Sequence, residues 1–255
     1  MEANETKKPG VLVTGGCGRI GSYFARKAAD RYAIRVVDRF AWNTDLLGPL
    51  PGESLVADLR DLDACRRACQ GMEMVVHLAA DPDPEADFYG SLLENNILAT
   101  YNMFQAAKEA RCRRFIFASS VHAVASYPRD VQVRADMPVR PTSMYGVSKC
   151  FGEALAAHYA INEGLPSIAI RIGAYRFPEE IASILPDEID AYLHPDDFNQ
   201  LVFQCLERTE VTFAIAHAIS DNRYKRVDLS ETRQIFGYQP EADAFEIEGI
   251  PKKMN

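Results

Sequence analysis

Apolar residues fall along this chain in short dense runs, separated by longer stretches of helical spacing. Val11-Leu12-Val13, Ile34 to Val37, Leu55-Val56-Ala57, Met74 to Leu78, Phe115-Ile116-Phe117, Ser167 to Ile172 and Val211 to His217 read as strands. Helical patterns cover Arg19 to Arg31, Asp61 to Gln70, Leu92 to Ala110, Ser143 to Glu163 and Asp228 to Phe236. Strand and helix alternate, which predicts an α/β fold: a doubly wound, mostly parallel sheet with helices on both faces. In such a sheet the functional crevice lies at the carboxyl ends of the strands. Residues 1–173 carry that pattern. Beyond them Pro178, Pro186, Pro195 and Pro240 interrupt the chain. Residues 174–255 are therefore expected to form a small cap over the crevice and a tail, not an independently folded unit.

Composition narrows the classes. The chain has 255 residues, 47% hydrophobic and 25% charged, an ordinary globular mixture. Lys plus Arg is 28 and Asp plus Glu is 36, a net charge of −8, so no nucleic-acid partner is expected. No apolar run approaches the ~18 residues of a membrane span, and the first ten residues are polar. A cytoplasmic protein without membrane contact is expected. Cys17, Cys65, Cys69, Cys112, Cys150 and Cys205 show no framework spacing and read as reduced thiols. Cys65 and Cys69 sit four apart without a second ligand pair nearby, so no metal is expected.

The end of the first strand carries Gly15, Gly18 and Gly21. The first glycine permits a tight turn. The second lets a pyrophosphate approach a helix N-terminus, and the third allows close packing. Asp38 ends the next strand, 20 residues beyond Gly18, where a carboxylate can accept bonds from ribose hydroxyls. The expected cofactor is NAD, because Asp38 would repel a 2′-phosphate; Arg39 beside it leaves room for NADP. Asp58, before Leu59, can reach an adenine amino group or cap the following helix.

Tyr145 and Lys149 stand four apart on one helix face. A lysine ammonium there lowers the tyrosine pKa and suits it to act as a base. Ser120 ends a parallel strand at the crevice mouth and can hold the same substrate oxygen. His77 reads as a hydrogen-bonded core residue and His158 as a surface one. His122 and His194 are placed to line the substrate pocket. Asp196-Asp197 fits a helix cap as well as a ligand contact.

Thr14 to Gly21, Asp58-Leu59, His77 to Ala80, Asn95-Asn96, Ser119-Ser120, Tyr145 with Lys149, and Arg171-Ile172-Gly173 occur in the order of one family. Over residues 10 to about 240 the chain resembles the extended short-chain dehydrogenase/reductases, of the NAD-dependent epimerase/dehydratase type. That resemblance implies a Rossmann fold with Ser120, Tyr145 and Lys149 as catalytic residues. It implies cofactor contacts from Gly15, Gly18, Arg19, Ile20, Gly21, Asp38, Asp58, Leu59, Leu78, Ala79, Ala80, Asn95, Tyr145 and Lys149. Asn95 or Asn96 is implied to order the central helices, and these long helices to pair two copies into a homo-oligomer.

Tyr145 to Glu153, Arg171 to Gly173 and His194 to Phe198 further resemble uronate dehydrogenases, which oxidise C1 of a cyclic hexuronate to a lactone. His77 to Pro84 is similar to related archaeal sugar and sugar-phosphate dehydrogenases. The implied partner is a small sugar, a hexuronate first. A neutral aldose or sugar phosphate is the alternative, or a nucleotide sugar in an epimerase or reductase. Asp81, Ser120, Val121, His122, Arg176 and His194 are the implied substrate contacts. Three departures stand out. Val121 stands where uronate dehydrogenases tend to have Asn, Asp81-Pro82 where they have a small polar residue, and Pro178 to Leu193 contains no Arg or Lys to grip a carboxylate. Arg176 is the candidate to take that role.

Overall fold

The computed structural model of the protein describes residues 8–247. Its strands are β1 (Gly10–Thr14), β2 (Ala33–Asp38), β3 (Gly52–Val56), β4 (Met74–His77), β5 (Arg114–Ser120), β6 (Ser167–Ile172), β7 (Ala174–Tyr175), β8 (Tyr192–Leu193) and β9 (Phe213–Ala218). Seven of them pair in the order β3-β2-β1-β4-β5-β6-β9. Every pairing is parallel. The Rossmann layer is thus present, with its strand order reversing between β1 and β4.

Alternation within the strands builds two cores. Val11, Val13, Met74, Val76, Ile168 and Ile170 face one side of the sheet, against α1 (Arg19–Ala28) and α6 (Pro195–Glu207). Leu12, Val75 and Ala169 face the other, against α3 (Leu62–Cys69), α4 (Ala99–Glu109) and α5 (Met144–Asn162). Burial on both faces explains why these strands read as continuous apolar runs. Cys65 and Cys69 are buried on α3 as free thiols.

Three elements differ from the sequence pattern. The third strand lies earlier than Leu55 to Ala57, because β3 is an exposed edge whose position is set by pairing Ile34 with Gly52 and Asp38 with Val56. The long helix expected from Leu92 starts at Phe88. Residues Phe88–Leu98 wind as π-helical turns before α4, and the Asp87 side chain accepts the Gly90 N–H at their start. A short helix, α2 (Thr44–Leu47), has no apolar stripe and exists through its cap, Asn43, which accepts the N–H groups of Asp45 and Leu46.

Past residue 173 the chain first forms the small β7–β8 pair with short 3₁₀ turns between, then returns to the main layer. There α6 packs on α1, β9 adds to the sheet edge, and α7 (Ser230–Phe236) covers β9. Residues 241–244 are held: buried Asp197 accepts the N–H groups of Glu241 and Ala242, and Asn222 accepts that of Ala244. Among the described residues no helix is long and apolar enough to cross a membrane.

One ion pair lies inside this packing. Arg171 on β6 donates to both carboxylate oxygens of Glu153 on α5, at 2.8 and 2.9 Å, and the side chains are only 1% and 5% exposed. Replacing Arg171 by Met should leave Glu153 charged and buried, and lower stability by about 3–5 kcal/mol in urea unfolding. Breaking the exposed Arg66–Glu109 pair in the same way should leave the midpoint nearly unmoved.

Candidate active site

The chain leaves β1 toward β2 and comes back at β4, so the carboxyl ends of these neighbours part and open a cleft. It has a volume of about 1360 Å³ and runs from the glycine turn, past Tyr145, to residues 185–191 and Arg226.

Its first end is built of backbone. Gly15 has φ +64°, and a Cβ on Gly21 would lie 2.2 Å from the Gly15 carbonyl oxygen, so neither position accepts a side chain. Gly18 caps α1 with no side-chain hydrogen bond, and the first turn of α1 carries no acid. Its N–H groups are left for an anion. Asp38 accepts the Cys17 N–H at 3.0 Å and the Phe40 N–H at 3.3 Å, which fixes its carboxylate at the rim with lone pairs remaining for hydroxyl donors. Asp58 is gripped by the Arg60 guanidinium, which holds its carboxyl below the usual range. Asp61, not Asp58, caps α3. Asn95 accepts from Arg39 and donates to Ser91. Arg19, Ile20, Leu59, Leu78, Ala79 and Ala80 complete the lining. Turn, uncapped helix and rim carboxylate together fit a dinucleotide.

Two side chains whose roles the motif pattern left unread shape this end. Thr14 Oγ1 bonds His77 Nδ1 at 2.7 Å and accepts the N–H groups of Leu78 and Ala79, both at 3.1 Å. It thereby sets the loop that follows β4. His77 is buried, reaches Thr100 through Nε2, and is pushed down to about 3 by desolvation, so it is neutral. Asn96 accepts the Asp81 N–H at 2.8 Å and donates to the Asp81 carbonyl and to Ser148 on α5. An asparagine in the motif signalled this position, but only the packing separates its role from that of Asn95.

The middle of the cleft is made by α5 lying on β5. Ser143 caps α5 by accepting the Gly146 N–H at 3.2 Å. Gly152 permits close approach, since a Cβ there would stand 2.0 Å from the Phe117 ring. Tyr145, Lys149 and Glu153 recur at four-residue spacing and form one stripe facing the sheet. Lys149 Nζ donates to the Ala118 carbonyl at 2.9 Å and lies 5.4 Å from the Tyr145 ring centre. Glu153 accepts from Ser119 at 2.6 Å. Ser120 Oγ accepts the His122 N–H at 3.2 Å. The expected lowering of the Tyr145 pKa is corrected by the structure. Burial raises it, Asp81 adds to the rise, and only the neighbouring Ser120 hydroxyl opposes them. Lys149 is itself buried, which pushes it down to about 8, and its amine is turned to the Ala118 carbonyl.

At the far end, His122 sets its ring edge-on to Tyr145 at 5.6 Å, with Nδ1 buried and without a partner among the described residues. Burial lowers its pKa. Val121, Asp81 and Arg176 also line the cleft. Asp81 accepts from Ser91 Oγ and the Asp83 N–H. His194 is the exception: it does not line the cleft but caps α6, its Nδ1 accepting the Asp196 N–H at 3.1 Å. Asp196 turns to Tyr23 and Lys27, whereas Asp197 is buried on Ser220. Arg129, Tyr175, Asp187, Glu188, Asp190 and Arg226 line this end as well. They come from loops and from the short β7 and 3₁₀ segments, none long enough to show periodicity, so no pattern pointed to them.

The NAD dependent epimerase/dehydratase family description matches residues 11–207, and the chain belongs to that family. NAD is its cofactor. The chain is similar to the NAD-dependent glucose-6-phosphate dehydrogenase of Haloferax volcanii, 32% identical over 94% of this chain and 97% of that one. It is 33% identical to the L-arabinose 1-dehydrogenase (NAD(P)(+)) of the same organism, over 90% of this chain and 95% of that one. Among solved structures it resembles uronate dehydrogenase from Agrobacterium tumefaciens, with a TM-score of 0.83 and 29% identity over 93% of this chain and 86% of that one. A variant of that enzyme is crystallised with NAD.

The depressed lysine carries a stability consequence. Below about pH 8 Lys149 is protonated in both folded and unfolded states, and the buried ammonium burdens the fold. The burden lifts as pH rises from about 8 toward the ordinary lysine value. Lys149→Met should therefore stabilise the protein at neutral pH, by up to about 3 kcal/mol. It should also remove the rise in unfolding free energy between about pH 8 and the ordinary lysine value that is expected of wild type, which denaturant titrations at several pH values would measure.

Proposed function

We propose that this protein is an NAD-dependent dehydrogenase that oxidises the C1 hydroxyl of a cyclic sugar to a lactone. The observation that carries the reading is the meeting of Ser120, Tyr145 and Lys149 in one cleft with the glycine turn of α1. The sugar class follows from relatives whose names specify glucose 6-phosphate, arabinose C1 and uronate oxidation.

Gly15, Gly18, Gly21, Asp38, Asp58 and the Leu78–Ala80 loop are the residues that would hold NAD. When bound, NAD supplies the acceptor for the hydride that leaves C1. The protein handles the proton. Ser120 receives one N–H, from His122, and its hydroxyl stands in hydrogen-bonding reach of Tyr145, so it can hold the C1 oxygen beside the base. Tyr145, as the phenolate, takes the C1 hydroxyl proton on Oη and becomes the neutral phenol. Its raised pKa makes it a poor phenolate alone, which gives Lys149 its purpose. An amine near pH 8 sits close to working pH, where it can hold or release a proton as Tyr145 changes state. Loss of hydride and proton leaves a C1 carbonyl within the ring, a lactone, with no bond formed to the enzyme.

Among cyclic sugars the sequence favours a hexuronate, whose carboxylate would need a facing cation. Self-association through residues 88–109 and α5 belongs to the same reading, and Leu98 and Tyr101 remain exposed there.

Tyr145→Phe should lower kcat by roughly 10²–10⁴-fold while NAD binding persists. Initial rates of NADH formation with a sugar panel and NAD titration by fluorescence test both halves; unchanged turnover would reject the role of Tyr145.

A further inference from the structure

The end of the cleft beyond Tyr145 is bounded by three guanidiniums, of Arg129, Arg176 and Arg226, and by the carboxylates of Asp81, Asp187, Glu188 and Asp190. Each guanidinium is already engaged by the chain. Arg226 is buried, and its terminal nitrogens donate to the carbonyls of Tyr127, Pro128 and Val131 at 2.6 to 3.2 Å. Arg129 reaches the Asp187 carbonyl at 2.8 Å and the Asp190 carboxylate at 3.2 Å. Arg176 donates to the Tyr175 carbonyl at 3.0 Å and faces Glu188 at 3.5 Å. Among the described residues, no cation lining this end is left without an acceptor.

The cap sharpens the imbalance. Residues 177–193 contain five carboxylates and no lysine or arginine. One of these, Glu188, acts on His122 at the reacting end, and Asp81, from the loop after β4, acts on Tyr145. A sugar hydroxyl is a donor that a carboxylate accepts well. A sugar carboxylate or phosphate offers acceptors only, and would be desolvated against like charge.

We propose that the substrate is an uncharged cyclic aldose, and that Glu188 determines this choice by occupying Arg176, the guanidinium a hexuronate would need. The inference rests on the dehydrogenase reading above and replaces its hexuronate with a neutral sugar. Glu188 is 35% exposed at its side chain, so its replacement should leave the fold intact.

The test measures kcat/KM for NAD reduction with D-galactose, L-arabinose, D-galacturonate and D-glucose 6-phosphate. It compares wild type, Glu188→Gln and the Arg176→Met/Glu188→Gln double variant, with folding checked by circular dichroism. Wild type should prefer the better neutral sugar over either anion by roughly tenfold or more. Glu188→Gln should shift the galacturonate-to-neutral ratio toward galacturonate by roughly tenfold, and the double variant should lose that gain. A wild type that prefers either anion would overturn the inference and leave the dehydrogenase reading standing. An unchanged ratio in Glu188→Gln would overturn the role given to Glu188. Inactivity toward every sugar by protein that still binds NAD would overturn the dehydrogenase reading and the inference with it.

Discussion

Glu153 and Arg171 face each other where water does not reach, and each compensates there for the water the other has lost. Their bonds run across elements: Glu153 belongs to α5, Arg171 to β6, and Ser119, which donates to the same carboxylate, to β5. Arg171 also reaches His217 of β9. The pair therefore fixes the height and rotation of α5 over the sheet. Lys149 and Tyr145 share its stripe, one and two turns earlier, and inherit that rotation. A helix free to slide would carry them off the strand end where Ser120 sits. Gly152 serves the same constraint from the steric side by letting Phe117 touch the helix backbone.

The cleft is made of two materials. Its cofactor end relies on backbone geometry, a left-handed glycine and an uncapped helix, with one carboxylate at the rim. Its other end relies on side-chain charge, with guanidiniums and carboxylates already bonded to one another. The first arrangement accepts an anion, because helix N–H groups remain unpaired. The second satisfies its cations internally and presents acceptors. The small β7–β8 pair stands between β6 and α6, so this second end is assembled from a single excursion of the chain together with Arg129 and Arg226.

Much of this was legible in the residues. Doubly buried strands leave dense apolar runs, and helices on the sheet leave a 3.6-residue period, so β1, β4, β6 and α5 are readable within a few residues. The glycine turn is readable because only glycine meets its backbone demands. Edge strand β3 was legible only displaced along the chain, and the capped turn α2 not at all, because neither buries a continuous face. At the site, Tyr145 with Lys149 is a spacing and survives translation into one dimension. The Glu188–Arg176 pair is a meeting of two loops and does not. His194 misled because a histidine before Pro195 serves equally as a helix cap, which is its use here. The pKa of Tyr145 misled for a different reason: proximity to a lysine was legible, but the burial that outweighs it was not.

The hydroxyl of Thr14 fixes something less visible, the tautomer of His77. Its oxygen already receives two N–H groups, from Leu78 and Ala79, so toward the ring it can only give its hydrogen. Nδ1 must then be the bare nitrogen and Nε2 must carry the proton, which points to Thr100. The bonds thus run in one direction, from the loop amides through Thr14 and the imidazole to α4. A polarity set by two peptide groups at the rim of the cleft is transmitted, without any net charge, to the interior of the helix layer.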